Sequence, residues 1–124
     1  MDKKSIRPEI LNISRLKGMS EFERFQNKTV RPIIKMQHPI IIAFFKTYLK
    51  GKRGDVFYSQ NKLSTHINTS LSKDISFKNK MIGIIIGQFT IEEFEFYTQE
   101  SSEINKRIVS IVKQRLSDSA SELI

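Results

Sequence analysis

The side chains with the clearest chemical potential in this chain are its cations. The sequence has 21 Lys and Arg against 13 Asp and Glu, a formal net charge of +8. Residues 1–54 hold 13 Lys/Arg and 4 Asp/Glu, whereas residues 55–124 hold 8 and 9. A cationic half of this kind favours a negatively charged partner, nucleic acid first and an acidic protein or membrane surface second. The alternative is a basic face that serves solubility alone.

Seven cations are the candidate binding residues. Helical spacing puts five of them on one side of a helix expected over residues 29–50 and in the loop that follows, and two more belong to the last long helix. The set is Arg31, Lys35, Lys46, Lys50, Arg53, Lys106 and Arg107. Such a patch neutralises phosphates without reading bases, so we expect binding that depends steeply on salt and shows little sequence preference.

Aromatic residues alternate with cations in two places: Phe44, Phe45 and Tyr48 with Lys46 and Lys50, and Phe77 with Lys78. Stacking on the rings together with phosphate contacts could bind a single strand. Helical spacing, however, puts the first three rings on the apolar side of their helix, which favours a place in the core.

No pattern for catalysis or metal binding is found in the sequence. The glycine spacing of phosphate-binding loops is missing, and neither His38 nor His66 has an acidic residue at helical spacing. The glutamates between residues 92 and 103 are explained by helix capping and the helix dipole. Cysteine is absent, which excludes thiolate nucleophiles and cysteine-containing zinc sites. We therefore predict no catalytic residue, no metal and no cofactor.

The sequence favours a cytoplasmic protein. No apolar block of signal-peptide length follows Lys3 and Lys4. The two most apolar stretches, residues 39–45 and 81–89, fall far short of the roughly 20 residues that span a bilayer. We therefore expect no transmembrane segment.

The elements that must position these residues are helices. The apolar spacing predicts an all-α fold, a small irregular bundle of four to six helices, with residues 1–18 as a weakly ordered segment and residues 19–124 as a single helical domain. A short helix over residues 8–17 is expected to end at Gly18. Ser20 and Glu23 have the spacing of a capping box and open a turn that should end near Asn27.

The helix over residues 29–50 contains Pro39, which should kink or break it near His38. Gly51 is expected to end this helix, and residues 51–58 read as a loop. The predicted buried side of the helix is formed by its apolar residues: Ile33, Met36, Ile40, Ile41, Phe44, Phe45, Tyr48 and Leu49.

Three further helices complete the prediction. Ser59 should cap a helix with Leu63, Ile67 and Leu71 on its buried edge. Residues 75–89 fit a strand or a helix, and we favour a helix. Gly83 and Gly87 have no side chains, so we expect the last helix to pack closely against them. Gly83→Leu should then destabilise the protein.

The last helix should begin at Thr90 with a capping box to Glu93 and run unbroken over residues 91–117, although Ser101-Ser102 offers a break. Residues 118–124 should fray. A heptad-like face from Phe94 to Arg115 allows weak self-association, and a place in the core is the alternative.

Four segments occur in the order that they have in a known family. They are residues 25–37 (FQNKTVRPIIKMQ), 73–79 (KDISFKN), 87–93 (GQFTIEE) and 101–107 (SSEINKR). In these segments the chain resembles a family of short bacterial proteins that are often labelled glyoxalase, and the similarity covers about residues 20–117. The resemblance implies a folded bacterial protein and, through the label, a lactoylglutathione lyase-like activity.

Two functions follow from these observations. Glyoxalase I enzymes use βαβββ modules and a metal held by His and Glu or Gln, and none of those ligands can be carried onto this sequence residue by residue. The cations therefore favour a non-catalytic binding or regulatory domain with a basic face for an acidic partner. The alternative is a small enzyme of the glyoxalase-labelled family.

Overall fold

The part of the chain that the structure describes is built from helices. The computed structural model describes residues 3, 6, 7, 20–53 and 60–123, and no strand occurs among them. Glu21–Phe25, Gln26–Val30 and Arg31–Met36 follow one another without interruption and form α1. The other helices are α2 (His38–Arg53), α3 (Gln60–Lys73), α4 (Ile75–Ile86), α5 (Ile91–Gln99), α6 (Ser101–Asp118) and α7 (Ala120–Leu123). The all-α class is confirmed, and the seven described helices exceed the four to six that we expected.

Helix α1 is longer than its sequence indicates because it contains a π-helical turn. Ser20 caps the helix by accepting a hydrogen bond from the Glu23 N–H at 3.1 Å, as expected. The helix does not end near Asn27; residues 26–30 form the π turn and carry it through to Met36. A π turn accommodates one extra residue without breaking the helix. The turn also brings Thr29 into the buried interior.

The expected break near His38 is confirmed. Helix α1 ends at Met36, Gln37 has φ −88° and ψ 8°, and α2 begins at His38. Pro39 then lies in the first turn of α2, where its missing N–H removes no helical hydrogen bond. Helix α2 continues through Gly51 to Arg53, so the expected end at Gly51 is wrong. The rest of the predicted loop and the Ser59 cap lie outside the described residues.

The core follows four-residue apolar stripes on the long helices. Three of the six residues predicted for the buried side of α2 and all three of the α3 residues are buried, while Phe44 and Tyr48 are half-buried. The stripes are Ile41, Phe45 and Leu49 on α2, Leu63, Ile67 and Leu71 on α3, and Ile104, Ile108, Val112 and Leu116 on α6. Ile40 was placed on the buried side but is 53% exposed. After the interruption at Gln37, the stripe through Ile41 faces the core and sets the orientation of α2. Ile40 is not part of this stripe and is therefore exposed to solvent.

The ambiguous segment before residue 89 is a helix, α4, which packs against α3 and α6. The expected close approach at its glycines is wrong for Gly83. A Cβ atom built at Gly83 would meet no heavy atom within 4 Å, and the residue is exposed. The contact between α4 and α6 therefore uses larger side chains, and Gly83→Leu should not destabilise through a clash.

The last predicted helix is divided at Glu100, which has φ −132° and ψ 29°. The unbroken helix that we favoured is therefore wrong, and the break near Ser101 is the correct alternative. Thr90 and Glu93 form the expected capping box. Ile104 and Ile108 are buried within the chain. The expected fraying after residue 118 is also wrong, because α7 packs on α2 and Leu123 is only 7% exposed.

Two expectations for the start of the chain remain predictions. The short helix over residues 8–17 and its cap at Gly18 lie outside the described residues. The division into a segment of residues 1–18 and a domain of residues 19–124 is likewise a prediction.

Candidate functional site

The predicted binding residues lie on three different helices. Arg31 and Lys35 are exposed on α1, and Lys46 and Lys50 are exposed on α2. The interruption at Gln37 separates the two pairs, which the sequence placed on one continuous helix. Arg53 is the last residue of α2, and its side chain lies outside the described residues.

The remaining two predicted residues, Lys106 and Arg107, are exposed on α6. Lys106 is paired with Glu103, with Nζ 3.4 Å from Oε1. The Arg107 guanidinium lies over the Phe22 ring at 5.8 Å from its centroid. This cation–π contact brings a cation of α6 to the beginning of α1.

Two further exposed cations lie on α1 and escaped the sequence analysis. Arg24 and Lys28 are exposed on α1, and with Arg31 and Lys35 they form the set that we call the α1 cations. They were missed because the predicted helix end near Asn27 separated them from Arg31. The signal that could have found them is the charge run itself, since residues 24–54 contain eight Lys/Arg and no Asp or Glu.

A cleft of about 240 Å³ opens between α1 and the C-terminal half of α6. We call it the arginine cleft because Arg31 and Arg115 both line it. The other lining residues are Ile111, Gln114, Asp118 and Ser119. Sequence analysis did not select Arg115 as a binding residue, because nothing in its spacing connects it to α1.

Arg115 is held from behind by a chain of hydrogen bonds. Its Nη1 lies 3.2 Å from His38 Nδ1, and His38 Nε2 lies 3.1 and 3.2 Å from the two carboxylate oxygens of Glu122. Arginine can only donate, so His38 Nδ1 accepts and the ring proton is assigned to Nε2, which donates to Glu122. His38 at the start of α2 and Glu122 on α7 thus hold Arg115, one arginine of the cleft, in place.

A second charged cluster lies in the interior, where Arg7 pairs with Glu93 at the start of α5. Arg7 Nη1 and Nη2 are 2.6 and 2.8 Å from the two carboxylate oxygens, and the side chains are 6% and 8% exposed. Arg7 also donates to the Gln88 carbonyl. Glu93 accepts two more hydrogen bonds, from the Thr29 hydroxyl at 3.1 Å and the Thr90 N–H at 2.8 Å.

The surroundings of Glu93 stabilise its charged form. Desolvation by burial raises the pKa of the carboxyl, but the Arg7 hydrogen bonds, the Thr90 N–H, the charge of Arg7 and the Thr29 hydroxyl outweigh it and lower the pKa to about 2. The sequence identified Glu93 as a capping residue only. A capping pattern does not reveal a partner more than eighty residues away in the chain.

The aromatic residues of α2 divide between the core and a groove. Phe45 is fully buried, whereas Phe44 and Tyr48 line a groove of about 740 Å³ between α2 and α4. The Tyr48 hydroxyl donates to Asp74 Oδ2 at 2.9 Å. Burial, this hydrogen bond and the charge of Asp74 raise the pKa of Tyr48 to about 12. Neither Lys46 nor Lys50 is among the described lining residues, so the interleaved stacking surface does not form there.

Both histidines, His38 and His66, are half-buried. Among the described residues, no group of three or more His, Cys, Asp or Glu is placed to hold a metal ion. No helix in the described ranges is long and apolar enough to cross a membrane. Comparisons with protein-family models, curated proteins and solved structures give no match to this chain.

Proposed function

We propose that this protein is a non-catalytic binding domain whose α1 cations, assisted by exposed cations of α2 and α6, bind nucleic acid. The observation that carries the proposal is the composition of residues 24–54, with eight cations and no acidic residue. All four α1 cations are exposed. No acidic side chain within this stretch neutralises part of its potential; Glu21 and Glu23 precede it in the first turn of α1, and Asp118 lines a cleft with Arg31.

Nucleic acid is the first candidate because phosphate chains carry regularly spaced charge that an exposed row of Lys and Arg can neutralise. Arginine adds a planar fork that matches phosphate oxygens. Binding of this kind releases counterions, so the affinity should fall with salt with a log–log slope of about −0.9 per phosphate contact on duplex DNA. An acidic protein surface is the second candidate.

The test is fluorescence anisotropy with duplex and single-stranded oligonucleotides at low and moderate salt. Lys28→Glu with Lys35→Glu reverses two α1 cations that have no described ion pair. Lys73→Glu with Lys80→Glu is the matched control, because it gives the same net charge from exposed positions on α3 and α4. We expect a loss of at least tenfold in affinity beyond that of the control.

Equal losses of affinity in the two variants would show that overall charge determines binding, which would contradict the proposed surface. No binding at low salt would remove nucleic acid and leave an acidic protein as the partner. Lys46→Glu with Lys50→Glu then asks whether the α2 pair contributes after its separation from Arg31 and Lys35.

The metal content of the purified protein separates this proposal from the enzyme that the glyoxalase label implies. A stoichiometric divalent metal together with lactoylglutathione turnover would favour the enzyme. Glyoxalase chemistry needs that metal to stabilise an enediolate, which no binding surface requires.

A further inference from the structure

We infer that the arginine cleft binds a phosphomonoester dianion, and that its source is the 5′-phosphate at the end of a nucleic acid strand. The chemistry of the site follows from its own geometry, while the source rests on the proposed function. The cleft is a recess of about 240 Å³ that is open to solvent, and Arg31 is the α1 cation that lines it. A water molecule takes up about 30 Å³ in the liquid, so a phosphate group with part of its hydration shell fits.

The two guanidinium groups have most of their donors available. Each has five N–H donors. Arg31 Nε donates to Asn27 Oδ1 at 3.0 Å, and Arg115 Nη1 contacts His38. Neither arginine has an ion pair with an acidic residue of the described chain. Both side chains line the cleft, Arg31 from α1 and Arg115 from α6.

Charge and shape favour a terminal phosphate over an internal one. Two arginines and Asp118 give the cleft a net charge of about +1, which attracts a phosphomonoester, with a charge between −1.5 and −2 near neutral pH, more strongly than a singly charged diester. An internal phosphodiester carries a single charge and continues on both sides. The half-buried Ile111 and the buried Ser119 line the cleft, and a chain end enters such a recess more readily than a continuous backbone.

One acidic residue, Asp118, also lines the cleft and opposes an anion there. Its Oδ1 accepts a hydrogen bond from Gln114 Nε2 at 3.0 Å, which occupies one carboxylate oxygen without removing the negative charge. Glu122 lies behind His38 and holds the arginine rather than facing the cleft. The charged groups around the cleft are therefore two arginines and Asp118.

The experiment compares one labelled single strand with a 5′-phosphate and the same strand with a 5′-hydroxyl. The label is at the 3′ end, and affinities are measured at a fixed salt concentration. We expect the phosphorylated strand to bind at least fivefold more tightly. Arg31→Gln and Arg115→Gln should each abolish the preference, and Arg31→Lys, which keeps the charge but loses the fork, should abolish most of it.

Lys28→Gln is the matched control, because it removes an α1 cation that does not line the cleft. It should weaken both strands equally and leave their ratio unchanged. A ratio near one in the unmodified protein would overturn the cleft site, and salt-dependent binding of both strands would then leave the proposed function standing.

Titration with inorganic phosphate separates the site from its source. Saturable shifts of the arginine Nε–H NMR signals that Arg31→Gln and Arg115→Gln remove would support the phosphomonoester site, even where no oligonucleotide binds. Phosphate-induced shifts without any oligonucleotide binding would overturn the nucleic acid source and the proposed function together. Absence of saturable shifts would overturn the site.

Discussion

Arg7 and Arg115 are both arginines with defined partners, and they have opposite relations to charge. The Arg7 side chain is buried and forms a bidentate ion pair with Glu93. Arg115 is half-buried and is held by a histidine, with no described ion pair. Glu93 compensates the charge of the first arginine, whereas no described acidic side chain forms an ion pair with the second. A count of cations in the sequence gives the two equal weight, although only the second can attract an anion.

The same contrast applies to the energetic roles of the two regions. The Arg7–Glu93 pair is largely shielded from solvent, so each charge depends on the other for its stabilisation. The arginine cleft remains in contact with solvent, so its charges are hydrated and cost the fold little. We therefore expect substitutions in the first region to change stability and substitutions in the second to change binding.

The largest effect is expected for Glu93→Gln. This change leaves the buried Arg7 guanidinium without a counter-charge, and breaking a buried pair in this way costs about 3–5 kcal/mol. Urea denaturation measures the loss. Glu92→Gln, at the exposed neighbouring position, should change the free energy of unfolding by less than about 0.5 kcal/mol. A similar small effect for both variants would contradict a structural role for the pair.

Acid titration of the unmodified protein should give a smaller change from the same residue. The pKa of Glu93 is lowered from 4.5 to about 2 in the folded chain. Its contribution to stability is therefore fully present above 4.5 and is lost as the pH falls through 2, a difference of about 3 kcal/mol. The measurement is the free energy of unfolding from pH 5 to pH 2, with Glu93→Gln as the reference that lacks this component. Parallel pH profiles for the two proteins would contradict the lowered pKa.

Sequence reasoning predicted the helices well where the signal was local. The Thr90 and Ser20 caps, the break near His38 and the buried stripe through Leu63, Ile67 and Leu71 all depend on residues within one or two turns. The errors arose where longer-range packing decides. Nothing in the composition of residues 26–30 indicates a π turn. Thr29 of this turn donates a hydrogen bond to Glu93, which is distant in the sequence.

The candidate site was predicted only as a list of cations. Helical spacing identified Arg31 and Lys35 but could not select Arg115, which approaches Arg31 through the packing of α1 against α6. The continuous surface expected along residues 29–50 failed at Gln37. The partner of Glu93 could not be predicted either, because Arg7 belongs to a segment with no strong pattern of its own.

Replacing both members of the buried pair should cost less than breaking it. Arg7→Met with Glu93→Leu removes both charges together, and apolar replacement of a buried ion pair is often close to neutral. Thr90 and Thr29 lose hydrogen bonds to Glu93, and the Gln88 carbonyl loses its hydrogen bond from Arg7, so we expect a net loss of about 2 kcal/mol. Urea denaturation of this double variant beside Glu93→Gln tests the comparison. A double variant less stable than Glu93→Gln would show that the hydrogen bonds, rather than the charges, dominate the cluster.

The smallest effect on stability is expected for Arg31→Gln and Arg115→Gln. Arg31 is exposed and contacts Asn27 one turn away on the same helix, so its loss should change the free energy of unfolding by less than about 0.5 kcal/mol. Arg115 contacts His38, and a glutamine amide can still donate to the ring, which keeps the cost in the same range. Thermal and urea unfolding measure both variants beside Glu93→Gln. A loss above about 2 kcal/mol in Arg115→Gln would make Arg115 a structural residue like Arg7, because stability and binding could then no longer be separated at the cleft.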